Sequence, residues 1–270
     1  VVRSSIAVAA VAAAAALLLG GCAPGAKEGV SLDDLQHIHS VATDGENFFL
    51  ASHHGLYLWA EDSWHLQGDE FDVMGLAIDE GVFFASGHPG PTQEFPDPLG
   101  ILISTDEGQT WAPQVLTGEV DFHLLEAVGS AFVGVAANYG VAVASRDAGQ
   151  TWSTLNPPPL TSVAINPLNS NEVLVASEGF LHLSTDMGAT FTPLPSPEEV
   201  VFVEWTQSTV FLATDSTLYQ SPRTGEPFSP LDDMFSSISA IGAHANAVIV
   251  LDVQGVHVSR DGGKSFELLP

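Results

Sequence analysis

Cations are scarce in this chain. Six Lys and Arg stand against 33 Asp and Glu in 270 residues, a formal charge of −27. So little positive charge cannot neutralise a run of phosphates, which excludes nucleic acid as a partner. The acidic balance instead suits a well-solvated surface and attracts cations. Cysteine is scarcer still. Cys22 is the one copy, so an intrachain disulfide is excluded. No apolar run reaches the roughly 20 residues of a membrane helix. From Gln36 onward no long stretch carries a helical period. What the chain does have is 45% hydrophobic residues, 25 Gly and 17 Pro. These are arranged as short alternating strands and turns, with enough length for a large core.

The turns repeat. Ser104-Thr-Asp106-Glu-Gly108-Gln-Thr110-Trp111 returns as Ser145-Arg-Asp147-Ala-Gly149-Gln-Thr151-Trp152. It returns again as Ser184-Thr-Asp186-Met-Gly188-Ala-Thr190-Phe191 and as Ser259-Arg-Asp261-Gly-Gly263-Lys-Ser265-Phe266. A fifth copy, Ser221 to Phe228, keeps the Ser, Gly and aromatic but has lost the Asp and the Thr. The copies stand about forty residues apart, the signature of stacked supersecondary units. Asp bonds the backbone ahead of it, Gly accepts positive φ, and Thr or Ser ties the far side of the turn to the Asp. The aromatic then enters the next strand and fills the gap between sheets.

This motif resembles the Asp-box, or BNR, repeat. The resemblance implies an all-β propeller with the boxes between the third and fourth strands of its blades, on the periphery and away from any active site. Six blades fit into residues 36–270, each drawn from one continuous stretch. The first has a shrunken box at Ala60-Glu-Asp62-Ser63. Fourth strands are expected at Thr110–Gln114, Thr151–Leu155, Thr190–Leu194, Pro227–Leu231 and Ser265–Leu269.

Ahead of the repeats, Arg3 is followed by an apolar run from Ile6 to Leu19 and then by Gly20-Gly21-Cys22. A positive start, a short apolar stretch and a small-residue end read as an export signal. The Leu19-Gly-Gly-Cys22 end resembles a bacterial lipobox. That resemblance implies cleavage before Cys22, lipid on its thiol, and an extracytoplasmic protein anchored at the cell membrane. Residues 1–22 are then the signal peptide and 23–35 a flexible tether.

A propeller's first strands line its channel, and the loops between second and third strands emerge on the same face as the starts of the first strands. Aligning the blades on Ser40-Val41-Ala42 and Ser162-Val163-Ala164 puts His39, Met74 and His123 at one level of the channel mouth. His37, Asp72 and Asp121 come one level above. The second-to-third loops add His53 and His54 in blade 1 and His88 in blade 2. Blade 2 also has a Pro-rich insertion, Gly87–Leu99, in a position that suits function. Imidazoles with a thioether lean toward copper, and imidazoles with carboxylates also suit zinc. His37, His39, His53, His54, Met74, His88 and His123 are therefore the candidate metal ligands. His65, His182, His244 and His257 fall outside this face.

Two further readings compete. Asp-box propellers include sialidases and other glycosidases. A sialidase needs clustered arginines, whereas Arg146, Arg223 and Arg260 all sit in box turns. A neutral-sugar glycoside hydrolase needs only two carboxylates, for which Asp72 and Asp121 are the candidates, with Glu94 or Asp97 from the insertion. The same fold also serves sortilin-type receptors and a photosystem assembly factor, so a non-catalytic assembly platform is the third reading. The arrangement of His37-Ile-His39, Ser86-Gly-His88-Pro89 and Asp121-Phe-His123 among the boxes resembles a group of exported bacterial proteins labelled glycosyl hydrolase-like.

Overall fold

A computed structural model describes residues 29–155, 160–224, 226–231 and 235–270. Cys22, the expected export signal and residues 23–28 of the expected tether lie outside the described residues.

Six four-stranded antiparallel sheets succeed one another along the chain. Blade 1 is β1 (Ile38–Thr43), β2 (Phe48–Ser52), β3 (Gly55–Ala60) and β4 (Ser63–Gln67). Blade 2 is β5 (Asp72–Asp79), β6 (Val82–His88), β7 (Ile101–Ser104) and β8 (Ala112–Val115). Blade 3 is β9 (Phe122–Val128), β10 (Ala131–Ala136), β11 (Val141–Ser145) and β12 (Ser153–Thr154). Blade 4 is β13 (Leu160–Ile165), β14 (Val173–Ser177), β15 (Phe180–Ser184) and β16 (Thr192–Leu194). Blade 5 is β17 (Phe202–Trp205), β18 (Val210–Ala213), β19 (Leu218–Ser221) and β20 (Ser229–Pro230). Blade 6 is β21 (Ala240–His244), β22 (Ala247–Asp252), β23 (Gly255–Ser259) and β24 (Glu267–Leu268). The fold is the six-bladed all-β propeller expected from the repeats.

The inner strands are near-continuous apolar runs buried along their whole length, as in β2, β14 and β22, so each sheet is apolar on both faces and adjacent sheets pack face to face. Each of the six interfaces holds its own apolar cluster. Phe49, Phe71 and Phe83 join blades 1 and 2, for example, and Phe84, Phe122 and Phe132 join blades 2 and 3. The ring closes where β21 packs beside β1 and where Leu50 and Trp64 of blade 1 meet Ile249 and Val256 of blade 6. Arg260 of blade 6 reinforces the seam. It donates to the Glu46 carbonyl at 2.8 Å and stacks 4.6 Å over the Phe48 ring. Residues 29–35, the end of the predicted tether, also belong to this seam. Val30 bridges to Trp64, and Val30, Leu32 and Leu35 pack against the cluster of blades 1 and 6.

The box turns carry the predicted bonds. In blade 2, Thr110 donates from its backbone N–H to Asp106 Oδ1 (2.9 Å) and from Oγ1 to Oδ2 (2.7 Å). Ser104 Oγ donates to Asp106 Oδ1 and accepts from Gly108 N–H. The same bonds recur around Asp147, Asp186 and Asp261. The box glycines 108, 149, 188 and 263 have φ of 81–83°, a conformation glycine adopts without strain. In blade 5, where the Asp is missing, Ser221 Oγ donates to the Arg223 carbonyl instead.

One expectation is corrected. The box aromatics do not enter the fourth strands, which begin after them, at Ala112, Ser153, Thr192 and Glu267. The carboxylate holds the residue before each aromatic in the turn, so that its N–H is not free for the ladder. The aromatic packs inward between blades instead, as Trp111 does 5.6 Å from Phe71.

These bonds hold the carboxyls of Asp186 and Asp261 down to about 2, through the Thr190 and Ser265 hydroxyls first. Folded pKa values below the unfolded ones make a stabilising contribution that is present above the ordinary carboxyl range and lost as pH falls toward 2. Carboxyl NMR titration is expected to find both groups near 2. Values near 3.8 would mean that the turn bonds do not persist in solution.

Candidate functional site

In each blade the start of the first strand is tied to the turn between strands two and three. His53 N–H donates to the His37 carbonyl (3.3 Å) and Ala137 N–H to the Asp121 carbonyl (2.7 Å), while Asp72 pairs across the ladder with His88. These ties bring the turn histidines and the strand-start residues of blades 1–3 to one rim.

The column read from the alignment has a structural cause that the sequence did not display. The ladder register slips between Ile38 and Ser40, between Val73 and Gly75, at Phe122–Leu124, and between Leu160 and Ser162. The extra residues are His39, Met74, His123 and Thr161, one in the first strand of each of blades 1–4. A bulge bends its strand and re-aims the extra side chain. All four residues line one cavity of about 100 Å³ in the channel beneath the rim.

Above that cavity the imidazoles and carboxylates sort into two groups. In the first, His39 Nε2 lies 3.1 Å from Asp72 Oδ1, His53 Nδ1 lies 2.9 Å from Asp72 Oδ2, and the two ring nitrogens are 3.2 Å apart. The rings of His39 and His53 meet edge to face at 4.5 Å, and His37 stacks edge-on against His53 at 4.9 Å. In the second group, His123 Nε2 lies 2.9 Å from Asp121 Oδ2, His88 Nε2 lies 3.8 Å from the same oxygen, and His88 Nδ1 is 2.7 Å from Asp97 Oδ1. His54 is exposed and belongs to neither group, and Met74 contributes from the cavity wall below.

Burial lowers the His39 pKa, against the opposing pull of Asp72. That shift favours the neutral ring, the form that ligates a metal. His88 moves the other way. Burial would lower it, but the bond to Asp97 and the charges of Asp121, Asp97 and Asp72 outweigh that and raise it.

Deeper in the channel are two groups that the sequence reading missed, Glu126 on β9 and Glu204 on β17. Both line the upper cavity and also a second cavity of about 210 Å³ on its far side, together with Asp79, Glu80 and His244. Burial, with Asp79 nearby, pushes the Glu126 carboxyl up to about 8, and burial beside Glu126 pushes Glu204 well above the usual range. The same blade alignment contained the signal. Their column reads Ala42, Ala77, Glu126, Ala164, Glu204, Gly242, two acids among residues chosen for smallness. No Lys or Arg lines either cavity.

No protein-family profile matches the chain, and no curated protein matches it in sequence. Solved structures match in fold. A gluconolactonase from Xanthomonas campestris superposes with a TM-score of 0.61 at 10% identity, over 83% of this chain and 86% of that one. The protein YCF48, solved bound to D1 peptide, gives 0.51 at 15% identity over 89% and 83%. A GH74 xyloglucanase from Xanthomonas campestris gives 0.54 at 12% identity over 89% of this chain but only 46% of its own length. The likeness to these β-propellers extends to architecture alone.

Proposed function

We propose that this propeller binds a transition-metal ion, copper or zinc, at the rim of blades 1–3, with His39 Nε2, His53 Nδ1 and an Asp72 oxygen as its ligands. The observation that supports this is the convergence of the donors: His39 Nε2 is 3.1 Å from Asp72 Oδ1, His53 Nδ1 is 2.9 Å from Asp72 Oδ2, the two nitrogens are 3.2 Å apart, and one donor atom of each residue lies within 4.8 Å of the others. Tetrahedral zinc with bonds of roughly 2.0–2.1 Å sets its ligands about 3.3 Å apart. An ion at the centre would find each of these three contacts within a few tenths of an ångström of that spacing. It also replaces the two N–H groups that otherwise converge on one carboxylate. The half-exposed His53 leaves a fourth position facing solvent. Met74, lining the cavity with His39, adds a soft donor nearby, which favours copper.

In this reading the Cys22 thiol carries the lipid, and the rim faces the extracytoplasmic side of a membrane. The protein then captures or presents a metal outside the cell. A glycoside hydrolase gains less support from the geometry, because both candidate acids, Asp72 and Asp121, are already engaged by imidazoles. An assembly role rests on the fold shared with peptide-bound YCF48, and no side-chain arrangement here selects it.

The test is metal analysis of tag-free protein together with Cu(II) and Zn(II) titration. Saturable binding that His39→Ala/His53→Ala weakens is expected. Absence of binding, with turnover of an aryl glycoside that Asp121→Asn abolishes, would replace this reading with the hydrolase.

A further inference from the structure

We propose that the rim holds a second, separate cation position formed by His88, Asp121 and His123, and that Asp97 on the insertion is the positioning residue that prepares His88 for it. This rests on the reading of the rim as a metal-binding face and divides that face in two.

The donor atoms of His88, Asp121 and His123 all lie within 4.8 Å of one another. They come from blades 2 and 3 and share no residue with the first group. An independent observation concerns Asp121 itself. Its Oδ1 is buried and has no hydrogen-bond partner among the described residues. An unpaired buried carboxylate oxygen is costly and calls for an explanation. The imidazoles approach Oδ2, so a cation held by them and by both oxygens of this carboxylate supplies the missing partner. Two imidazoles and a carboxylate suit a borderline divalent ion, zinc or copper(II).

The orientation of His88 points the same way. Its Nδ1 is 2.7 Å from Asp97 Oδ1, so that nitrogen carries the proton and donates it to the carboxylate. Its Nε2, at 3.8 Å from Asp121 Oδ2, is beyond hydrogen-bond reach and stands beside Asp121 and His123. A carboxylate behind a histidine fixes tautomer and ring orientation in known metal sites and raises the ring's basicity. Asp97 itself is exposed, but the chain around it is anchored. Leu99 is fully buried, its N–H donates to the Gly87 carbonyl at 2.9 Å, and Gly118 N–H donates to the Pro98 carbonyl at 2.7 Å. The insertion thus closes on its own base and holds Asp97 over His88.

Calorimetric titration of the full, tag-free chain with Zn(II) tests this. The wild type is expected to bind two ions. His39→Ala/His53→Ala and His88→Ala/His123→Ala are each expected to bind one. In the His39→Ala/His53→Ala background, Asp97→Ala should weaken the remaining ion by about 10–100-fold, the range for outer-shell changes. Asp97→Asn, which keeps an acceptor for Nδ1–H, should restore most of that loss, with melting temperature unmoved throughout. A wild type that binds one ion, lost in His39→Ala/His53→Ala, overturns the second position and leaves the first. An Asp97→Ala affinity equal to the parent's overturns the positioning role. A chain that binds no Zn(II) overturns both positions together.

Discussion

Asp72→Ala is expected to weaken metal binding at the first rim position by about 100-fold or more, beyond the 10–100-fold typical of outer-shell changes, while leaving the melting temperature nearly unchanged. The two effects separate for a physical reason. Asp72 starts the first strand of blade 2, whereas both imidazoles it touches belong to blade 1. It is the only anionic donor of that triad and the residue that carries the site across the blade interface. Removing it leaves two imidazoles 3.2 Å apart with no carboxylate to offset a dication. The fold loses much less. The Asp72 contacts lie at a partly exposed rim, and such pairs contribute about 0–1 kcal/mol. The apolar interface of blades 1 and 2, built on Phe49, Phe71, Phe83 and Leu102, is untouched. Asp72→Asn keeps one oxygen donor but loses the charge, so it should fall between. Competition against a chelator of known affinity, run beside thermal melts, reads both quantities. Equal metal affinity in wild type and Asp72→Ala would remove Asp72 from the ligand set. A large drop in melting temperature would assign it a structural role instead.

Much of this architecture was legible because the box motif is locally self-sufficient. Ser104, Asp106, Gly108 and Thr110 satisfy one another within seven residues, so the turn declares itself without tertiary information. Counting such turns counts blades. The first blade lacks a full box, but its alternating strands and the Ser40-Val41-Ala42 start suffice to place it. The convergence of His39, Met74 and His123 was likewise legible from blade alignment, since all blades share one geometry relative to the axis. The division of the rim into two groups was not. It depends on Asp72 reaching back to blade 1 while Asp121 stays with His123 of its own blade, and a column of aligned residues cannot say which neighbour a side chain chooses. The bulges were hidden for a similar reason. They insert one residue into the ladder without altering the apolar alternation on either side. The bond between His88 and Asp97 required knowing how a Pro-rich insertion folds, and nothing periodic specifies that. Glu126 and Glu204 were legible in the alignment too, as two acids in a column of small residues, but at the waist of the channel and not its mouth.

Those two glutamates lead to the other large expected effect, which needs no metal. Stability should fall as pH rises from about 4.5 to about 8, and Glu126→Gln should remove much of the decline. The sign follows from proton counting. The unfolded carboxyl titrates near 4.5, whereas burial and Asp79 raise the folded one to about 8. Between these values the folded chain holds a proton that the unfolded chain has released. The contribution is therefore fully present below 4.5 and is lost on the way to 8. One such group gives at most about 1.4 kcal/mol per pH unit. Glu126 and Glu204 both face the channel lumen, where water softens the penalty, so a total on the order of 2 kcal/mol is a fairer expectation. For a domain of this size that corresponds to about 4–8 °C in melting temperature. Glu204→Gln should act in the same direction, and Glu126→Gln should also lower the Glu204 pKa, because the charge of Glu126 no longer opposes its ionisation. The box aspartates cannot mimic this, since their depressed values act only under acid conditions and with the opposite sign. Rim histidines are common to wild type and variants, so whatever they contribute cancels in the difference. Melting curves of wild type, Glu126→Gln and Glu204→Gln at pH 5, 6, 7 and 8 decide the matter. Parallel pH dependence in all three would mean that neither carboxyl is held protonated and that the waist of the channel is as wet as its mouth.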